Sequence, residues 1–301
     1  MFSRLRIYFK EMYPLITRLL LGYVIFLGLY FIILLNFGIT RFDFGLQEVI
    51  GGFTVFSFLM FLRIADDFKD YETDKKLFPD RAFPSGKVLK SDLWWALGIV
   101  TAITFILNLL FMNNVLFFLI LYIYGFFMSM WFFQKHKIQK SLPLALVTHN
   151  PVQMVLNIYI ISFTLIKYDL PWFRLHVILA AFTLYFPALI WEIGRKIRAP
   201  EDETAYVTYS KLFGVKKSVR FIFLLTWIDV ITNILLVWNL NQISVILILI
   251  NVLVMSWFFM RFVRNPRSFP LIKPIERYTL ILETLMLLTV VSYLVWGRIG
   301  L

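Results

Sequence analysis

A cluster of acidic residues follows an apolar segment in the stretch Arg63-Ile64-Ala65-Asp66-Asp67-Phe68-Lys69-Asp70-Tyr71-Glu72-Thr73-Asp74. If this stretch is helical, with about 100° between successive residues, its four aspartates share one face about 100° wide, and Arg63 lies among them. Carboxylates held so close repel one another unless a cation neutralises them. Mg²⁺ takes one or two carboxylates and completes its shell with water and phosphate oxygens. The pattern predicts a site for Mg²⁺ and diphosphate. The alternative is a solvated charged cap on a membrane helix, where charges cost little.

The composition indicates a membrane protein. Of the 301 residues, 60% are hydrophobic and only 16% are charged, and the mean hydropathy is +0.78, whereas soluble domains carry about 25% charged residues. The absence of cysteine excludes disulfides, thiolate metal sites and cysteine nucleophiles. We therefore predict an all-α, polytopic fold with nine transmembrane helices, at about 13–36, 45–65, 92–112, 114–134, 142–166, 172–194, 218–238, 242–262 and 278–297.

The net charge of +12 is explained by membrane orientation. Of the 30 lysines and arginines, 24 fall at the N-terminus and around the loops after spans two, four, six and eight, and four fall on the opposite side. Basic residues concentrate on the cytoplasmic side of membrane proteins. We therefore expect an integral protein of a prokaryotic plasma membrane, with the N-terminus and the long loops in the cytoplasm. A nucleic-acid partner is not expected.

Two long loops on that side, about 66–91 and 192–217, carry most of the acidic residues. Each follows an even-numbered span and ends at a glycine, Gly86 or Gly214. In the second loop, Glu192 is followed by Arg195 and Lys196. On the residues alone, these three could form only helix-end salt bridges. The two loops suggest a weak internal repeat of a helix with its following loop.

The acidic motif resembles that of the UbiA superfamily of intramembrane prenyltransferases. Asp66-Asp67-x-x-Asp70-x-x-x-Asp74 is similar to the family's N-D-x-x-D-x-x-x-D, with Asp66 in place of asparagine. The segment Arg81-Ala82-Phe83-Pro84-Ser85-Gly86 resembles the family's N-R-P-L-P-S-G. In the second loop Glu192 stands where aspartate is usual, and Thr208 to Gly214 is similar to T-x-x-x-L-F-G. Glu201, Asp202 and Glu203 are all candidates for the later acid of that loop.

The resemblance implies one membrane domain, 1–301, in which nine helices surround a lipid-open central cavity. It implies Mg²⁺-dependent ionisation of an allylic prenyl diphosphate and transfer of the prenyl group to an aromatic or other lipophilic acceptor within membrane lipid. The residues assigned to catalysis are Asp67, Asp70, Glu192 and Lys196. Those assigned to Mg²⁺ are Asp66, Asp67, Asp70, Asp74 and Glu192. Those assigned to the diphosphate are Arg63, Lys69, Arg81, Arg195 and Lys135.

Two other functions stay open on the sequence. A terpene cyclase of the same fold would use the same two loops. In that enzyme the carbocation would react with a double bond of the same prenyl chain, which the many aromatic side chains would surround. A transporter is the third hypothesis. It is disfavoured because transporters place ionisable residues near the membrane midplane, whereas these acids crowd one membrane face.

Overall fold

The protein is built from helices. The structure, a computed structural model, describes residues 1–204 and 207–300. Within them the α-helices are α1 (Phe2–Glu11), α2 (Leu15–Asn36), α3 (Leu46–Lys69), α4 (Tyr71–Leu77), α5 (Lys90–Phe111), α6 (Val115–Ser129), α7 (Lys135–Lys140), α8 (Leu142–His149), α9 (Val152–Lys167), α10 (Leu175–Phe182), α11 (Tyr185–Gly194), α12 (Tyr209–Phe213), α13 (Val215–Val237), α14 (Gln242–Arg264) and α15 (Ile272–Trp296). This confirms the all-α class.

Eight helical segments in the described chain are long and apolar enough to cross a membrane. They are Leu15–Asn36, Leu46–Lys69, Lys90–Phe111, Leu142–Lys167, Leu175–Gly194, Val215–Val237, Gln242–Arg264 and Ile272–Trp296. Each coincides with one of the nine spans predicted from the sequence. The protein is therefore an integral, multi-pass membrane protein.

The remaining predicted span, 114–134, is shorter than expected. Its helix α6 has 15 residues, which is about 22 Å long against a hydrocarbon core of about 30 Å. The helix ends there because Trp131, Phe132 and Phe133 adopt positive φ angles of 53°, 48° and 57°. Residues in this left-handed region cannot continue a right-handed helix. Hydropathy does not reveal the turn, since all three residues are apolar.

The described chain forms two compact units. The first comprises Met1–Tyr30, Phe42–Lys135 and Ser162–Leu170. In this unit α3 packs against α5 and α6, and it approaches α2 through glycines. A Cβ atom on Gly52 would come within 2.2 Å of the Tyr23 ring, so only glycine fits there. Small residues of this kind let membrane helices approach closely.

The second unit comprises Phe31–Arg41, His136–Ile161 and Pro171–Leu301. Helix α13 lies at its centre and packs against α10, α11, α12, α14 and α15. Asp229 of α13 is fully buried and accepts hydrogen bonds from the Tyr278 hydroxyl (3.0 Å) and the Asn233 amide (2.7 Å). Polar side chains that bond between helices hold membrane bundles together, which accounts for these residues within apolar spans. That the whole chain is one domain stays a prediction.

Candidate functional site

The first acidic motif lies where two helices meet. Helix α3 ends at Lys69 and α4 begins at Tyr71, so the expectation of one continuous helix is wrong at Asp70. Asp70 has φ −103° and ψ 9°, in the region between helix and strand where many active-site residues lie. Its amide still donates to the Asp66 carbonyl (2.9 Å), and the Asp74 amide donates to the Asp70 carbonyl (2.9 Å). The aspartates therefore stay close together across the break.

Three of the four aspartates form ion pairs with the bases that the sequence assigned to diphosphate. Lys69 Nζ lies 2.8 Å from Asp66, and Arg81 Nη1 lies 3.0 Å from Asp74. Asp67, which is 3% exposed, is paired with Arg63 one turn earlier. These contacts place Arg63, Lys69 and Arg81 at the aspartates, as the sequence predicted. Their roles toward a ligand stay predictions.

Asp70 differs from its neighbours because its carboxylate has no side-chain partner among the described residues. It is half-buried, and burial raises its pKa above the usual range for aspartate. Lys69 opposes this increase, the carboxylates of Asp66 and Asp74 add to it, and Lys135 opposes it more weakly. Lys135 is therefore close enough to act on Asp70. A carboxylate in this environment would be stabilised by a bound cation.

Helix α1 contributes residues to this site that the sequence analysis missed. The Tyr8 hydroxyl donates a 2.5 Å hydrogen bond to Asp67 Oδ2, and Tyr8 is fully buried. Burial, followed by the charge of Asp67, raises the pKa of Tyr8 well above its usual value, so the hydroxyl remains a donor. Arg4 binds Asp92 through two nitrogens, at 2.6 and 2.9 Å. The sequence offers only a short amphipathic pattern here, and no spacing relates Tyr8 to an aspartate 59 residues away.

The segment that follows α4 is a compact loop fixed to α1. The Ala82 amide donates to the Glu11 carboxylate (3.0 Å), and the Val88 amide donates to the Ala82 carbonyl (3.1 Å). Gly86 has φ 78°, a left-handed conformation that favours glycine. The loop thus holds Arg81 at Asp74, and its guanidinium carbon also lies 3.8 Å from the centre of the Phe78 ring. This geometry explains the glycine that ends the motif.

The second motif is a compact group of charges at the end of α11. Arg195 Nε lies 2.7 Å from Glu192 Oε2, and Lys196 Nζ lies 2.7 Å from Glu192 Oε1. Lys196 is 9% exposed, so its ammonium is largely shielded from solvent. The structure thus brings Glu192, Arg195 and Lys196 together within the second unit. Whether they bind metal or diphosphate stays a prediction.

Glu203 has a structural role in the loop that follows. Its carboxylate accepts hydrogen bonds from the hydroxyls of Thr208 (2.7 Å) and Ser210 (2.5 Å). Thr208 caps the N-terminus of α12 by accepting from the Lys211 amide (3.1 Å), and the chain ends this turn at Gly214, with φ 81°. Glu201 and Asp202 are exposed and have no side-chain partner in the described part of the chain. Of the three candidate acids, these two are available to a ligand.

The first motif fits Mg²⁺ only if a ligand supplies some of the oxygen atoms that bind the ion. Within residues 1–204 and 207–300, no group of three or more His, Cys, Asp or Glu residues is arranged to hold a metal by itself. Mg²⁺ does not need such a cage, since it binds through one or two carboxylates together with water and substrate phosphates. The unpaired Asp70 beside Asp66 and Asp74 supplies oxygen donors of that kind. The donor set therefore fits Mg²⁺ that arrives with a diphosphate.

Together, the helices and acidic motifs define an all-α, multi-pass membrane protein with two clusters of charged residues. No protein-family model and no curated protein matches the sequence. Among solved structures, the fold is similar to that of a digeranylgeranylglyceryl phosphate synthase, with a TM-score of 0.63 and 17% sequence identity. The similarity covers 98% of this chain and 99% of that one. It confirms, at the level of the fold, the resemblance predicted from the motifs.

Proposed function

We propose that the protein is a prenyltransferase that uses Mg²⁺ to move a prenyl group from an allylic prenyl diphosphate to a lipophilic acceptor. The observation that carries the proposal is Asp70, a half-buried carboxylate without a side-chain partner in the described chain, flanked by two further aspartates and two lysines. These carboxylates and lysines together are complementary to a diphosphate that binds as its Mg²⁺ complex. The fold likeness to a prenyl-lipid synthase supports the same reaction class.

The chain's residues have distinct roles in this proposal. Asp70, with Asp66 and Asp74, binds Mg²⁺, and Asp67 stabilises the cluster through Arg63 and Tyr8. Lys69, Arg81 and Lys135 bind diphosphate oxygens. Bound Mg²⁺ would help to neutralise the charge that develops on the leaving diphosphate. Glu192, Arg195 and Lys196 offer one carboxylate between two cations, and we assign them to diphosphate binding as well.

The bond changes follow from this assignment. The carbon–oxygen bond to the diphosphate breaks, and both electrons leave with the diphosphate, whose negative charge the basic side chains stabilise. The allylic carbocation that remains is attacked by the acceptor, which forms the new bond and then loses a proton. Aromatic acceptors are the first choice, because their electron-rich rings stabilise and attack such cations.

The hydroxyl of Tyr8 provides a test that is confined to one hydrogen bond. Tyr8→Phe should lower kcat/KM for the prenyl diphosphate by about tenfold or more, because a hydrogen bond to a charged group contributes about 1.5–3 kcal/mol. Tyr13→Phe is the matched control, since Tyr13 is also buried but donates to the Phe56 carbonyl (2.7 Å). Equal losses in both variants would mean that Tyr8 acts only through packing.

The proposed orientation places both acidic loops in the cytoplasm of a prokaryotic cell, and cysteine labelling tests it directly. The native chain contains no cysteine, so Ser85→Cys and Glu201→Cys each introduce a single exposed thiol. Neither should react with an impermeant maleimide added to intact cells, and both should react after lysis. Asn113→Cys, in the turn between α5 and α6, should react in intact cells. The reverse pattern would contradict the orientation.

A further inference from the structure

Helix α1 has two faces with different partners. Leu5 and Tyr8 are buried in the core of the first unit, and Arg4 is paired with Asp92. The other face carries Phe2, which is 81% exposed, together with Ile7, Arg6 and Lys10. A short helix with basic and bulky apolar residues on its outer face is typical of the membrane–water interface. The contacts of α1 therefore hold its inner face on the protein and leave its outer face exposed.

A groove of about 800 Å³ lies beside this outer face. Its walls come from α1, from the first turn of α2 and from α5, and they are apolar at Phe2, Phe9, Ile16, Ile99 and Val100. This volume falls in the range of about 300–1,000 Å³ that is usual for ligand pockets. The walls suit a hydrocarbon chain that enters from the bilayer.

The charges on the groove are of one sign. Arg6 and Lys10 line it and, four residues apart on α1, they lie on the same side of the helix. Neither has an ion-pair partner in residues 1–204 and 207–300, whereas Arg4 on the same helix has its charge satisfied by Asp92. Two exposed cations beside an apolar groove are complementary to a phosphate attached to a hydrocarbon chain.

We infer that this groove binds an anionic glycerophospholipid, with its phosphate at Arg6 and Lys10 and an acyl chain along Ala96, Ile99 and Val100 of α5. Free phosphate does not account for the apolar walls, and a neutral hydrocarbon does not account for the two unpaired cations. The bound lipid would stabilise α1, whose inner face holds Asp67 and the loop at Ala82. The inference goes beyond the proposed reaction, and the binding itself does not depend on it.

Native mass spectrometry of the full-length, delipidated protein in detergent tests the inference without any prenyl substrate. Titration with phosphatidylglycerol should give at least about tenfold tighter binding of the first lipid than titration with phosphatidylcholine, since both basic residues attract an anionic headgroup. The variant Arg6→Gln/Lys10→Gln should lose this preference. Inorganic phosphate at millimolar concentration should not displace the lipid. Displacement by phosphate would assign the site to a free anion and overturn the inference.

Two further variants separate the groove from general electrostatics. Lys137→Gln/Lys140→Gln removes two exposed charges from α7 and should leave the lipid preference unchanged. Ala96→Phe fills the groove from α5 and should weaken the binding of both lipids at least about tenfold. Its circular dichroism spectrum should be unchanged, which shows that the variant is folded. Equal losses in the α7 control pair and the α1 pair would contradict a specific site, as would full binding in Ala96→Phe. Each result holds whether or not the protein transfers prenyl groups.

Discussion

Replacing Asp70 with asparagine is expected to lower the rate of diphosphate release from an allylic prenyl diphosphate by about a hundredfold to a thousandfold. The substitution keeps the size of the side chain and removes the charge that we propose binds Mg²⁺. Removing one group that stabilises developing charge in a buried site lowers the rate by about this factor. Asp70 has no side-chain partner in the described structure, so thermal stability in detergent should change little. Diphosphate release is measured with a coupled phosphate assay over a range of Mg²⁺ concentrations.

Glu72→Gln is the matched control, because Glu72 lies two residues away, on the exposed side of α4. It should retain nearly full activity. In the wild-type protein, EDTA should abolish release and added Mg²⁺ should restore it. Full activity of Asp70→Asn, or undiminished activity in EDTA, would remove the metal site from the proposal.

A second large effect is expected on stability. Glu48 is fully buried, and its carboxylate lies 2.6 Å from Lys167 Nζ. Lys167→Met leaves the carboxylate without its cation, and breaking a buried ion pair in this way costs about 3–5 kcal/mol. The variant should therefore unfold at a clearly lower temperature in detergent, as followed by tryptophan fluorescence.

A double variant shows whether the unpaired charge of Glu48 causes the loss of stability. Glu48→Gln/Lys167→Met removes both charges, and its amide oxygen can still accept the 2.8 Å hydrogen bond that the Gly45 amide gives to Glu48. It should recover much of the stability lost in Lys167→Met. Lys140→Met, at an exposed lysine, should have no effect. A double variant as unstable as the single one would show that Lys167 acts through packing instead.

The sequence predicts the features that depend on local pattern. Apolar segments of helix length located the membrane helices, because each must satisfy its backbone hydrogen bonds internally in lipid. The acidic spacing predicts that Arg63 and Lys69 lie beside aspartates, because residues three or four positions apart on a helix are neighbours. Arg81 is predicted only by the resemblance of its segment to the family motif. The sequence also predicts that loops end at Gly86 and Gly214, and both residues adopt positive φ.

The features that the sequence did not predict depend on contacts between distant residues. The Tyr8 hydroxyl donates a hydrogen bond to Asp67, which is 59 positions away in the sequence. The Ala82 amide donates to Glu11, which is 71 positions away. The left-handed turn at Trp131–Phe133 has no glycine or asparagine to indicate it. Glu203 could not be distinguished from Glu201 and Asp202, because its role depends on hydroxyls that the fold brings back from Thr208 and Ser210.

The most direct test of the central claim is product analysis by mass spectrometry. Purified protein in lipid nanodiscs is incubated with Mg²⁺ and prenyl diphosphates of several lengths, with and without a panel of aromatic and glycerol-based lipophilic acceptors. Prenyl transfer predicts one prenylated acceptor for each diphosphate released, and negligible release when the acceptor is omitted. Cyclic hydrocarbon or terpene alcohol formed without acceptor, at the rate of diphosphate release, would contradict the transferase and identify a cyclase. Absence of diphosphate release under every condition would contradict the enzyme itself.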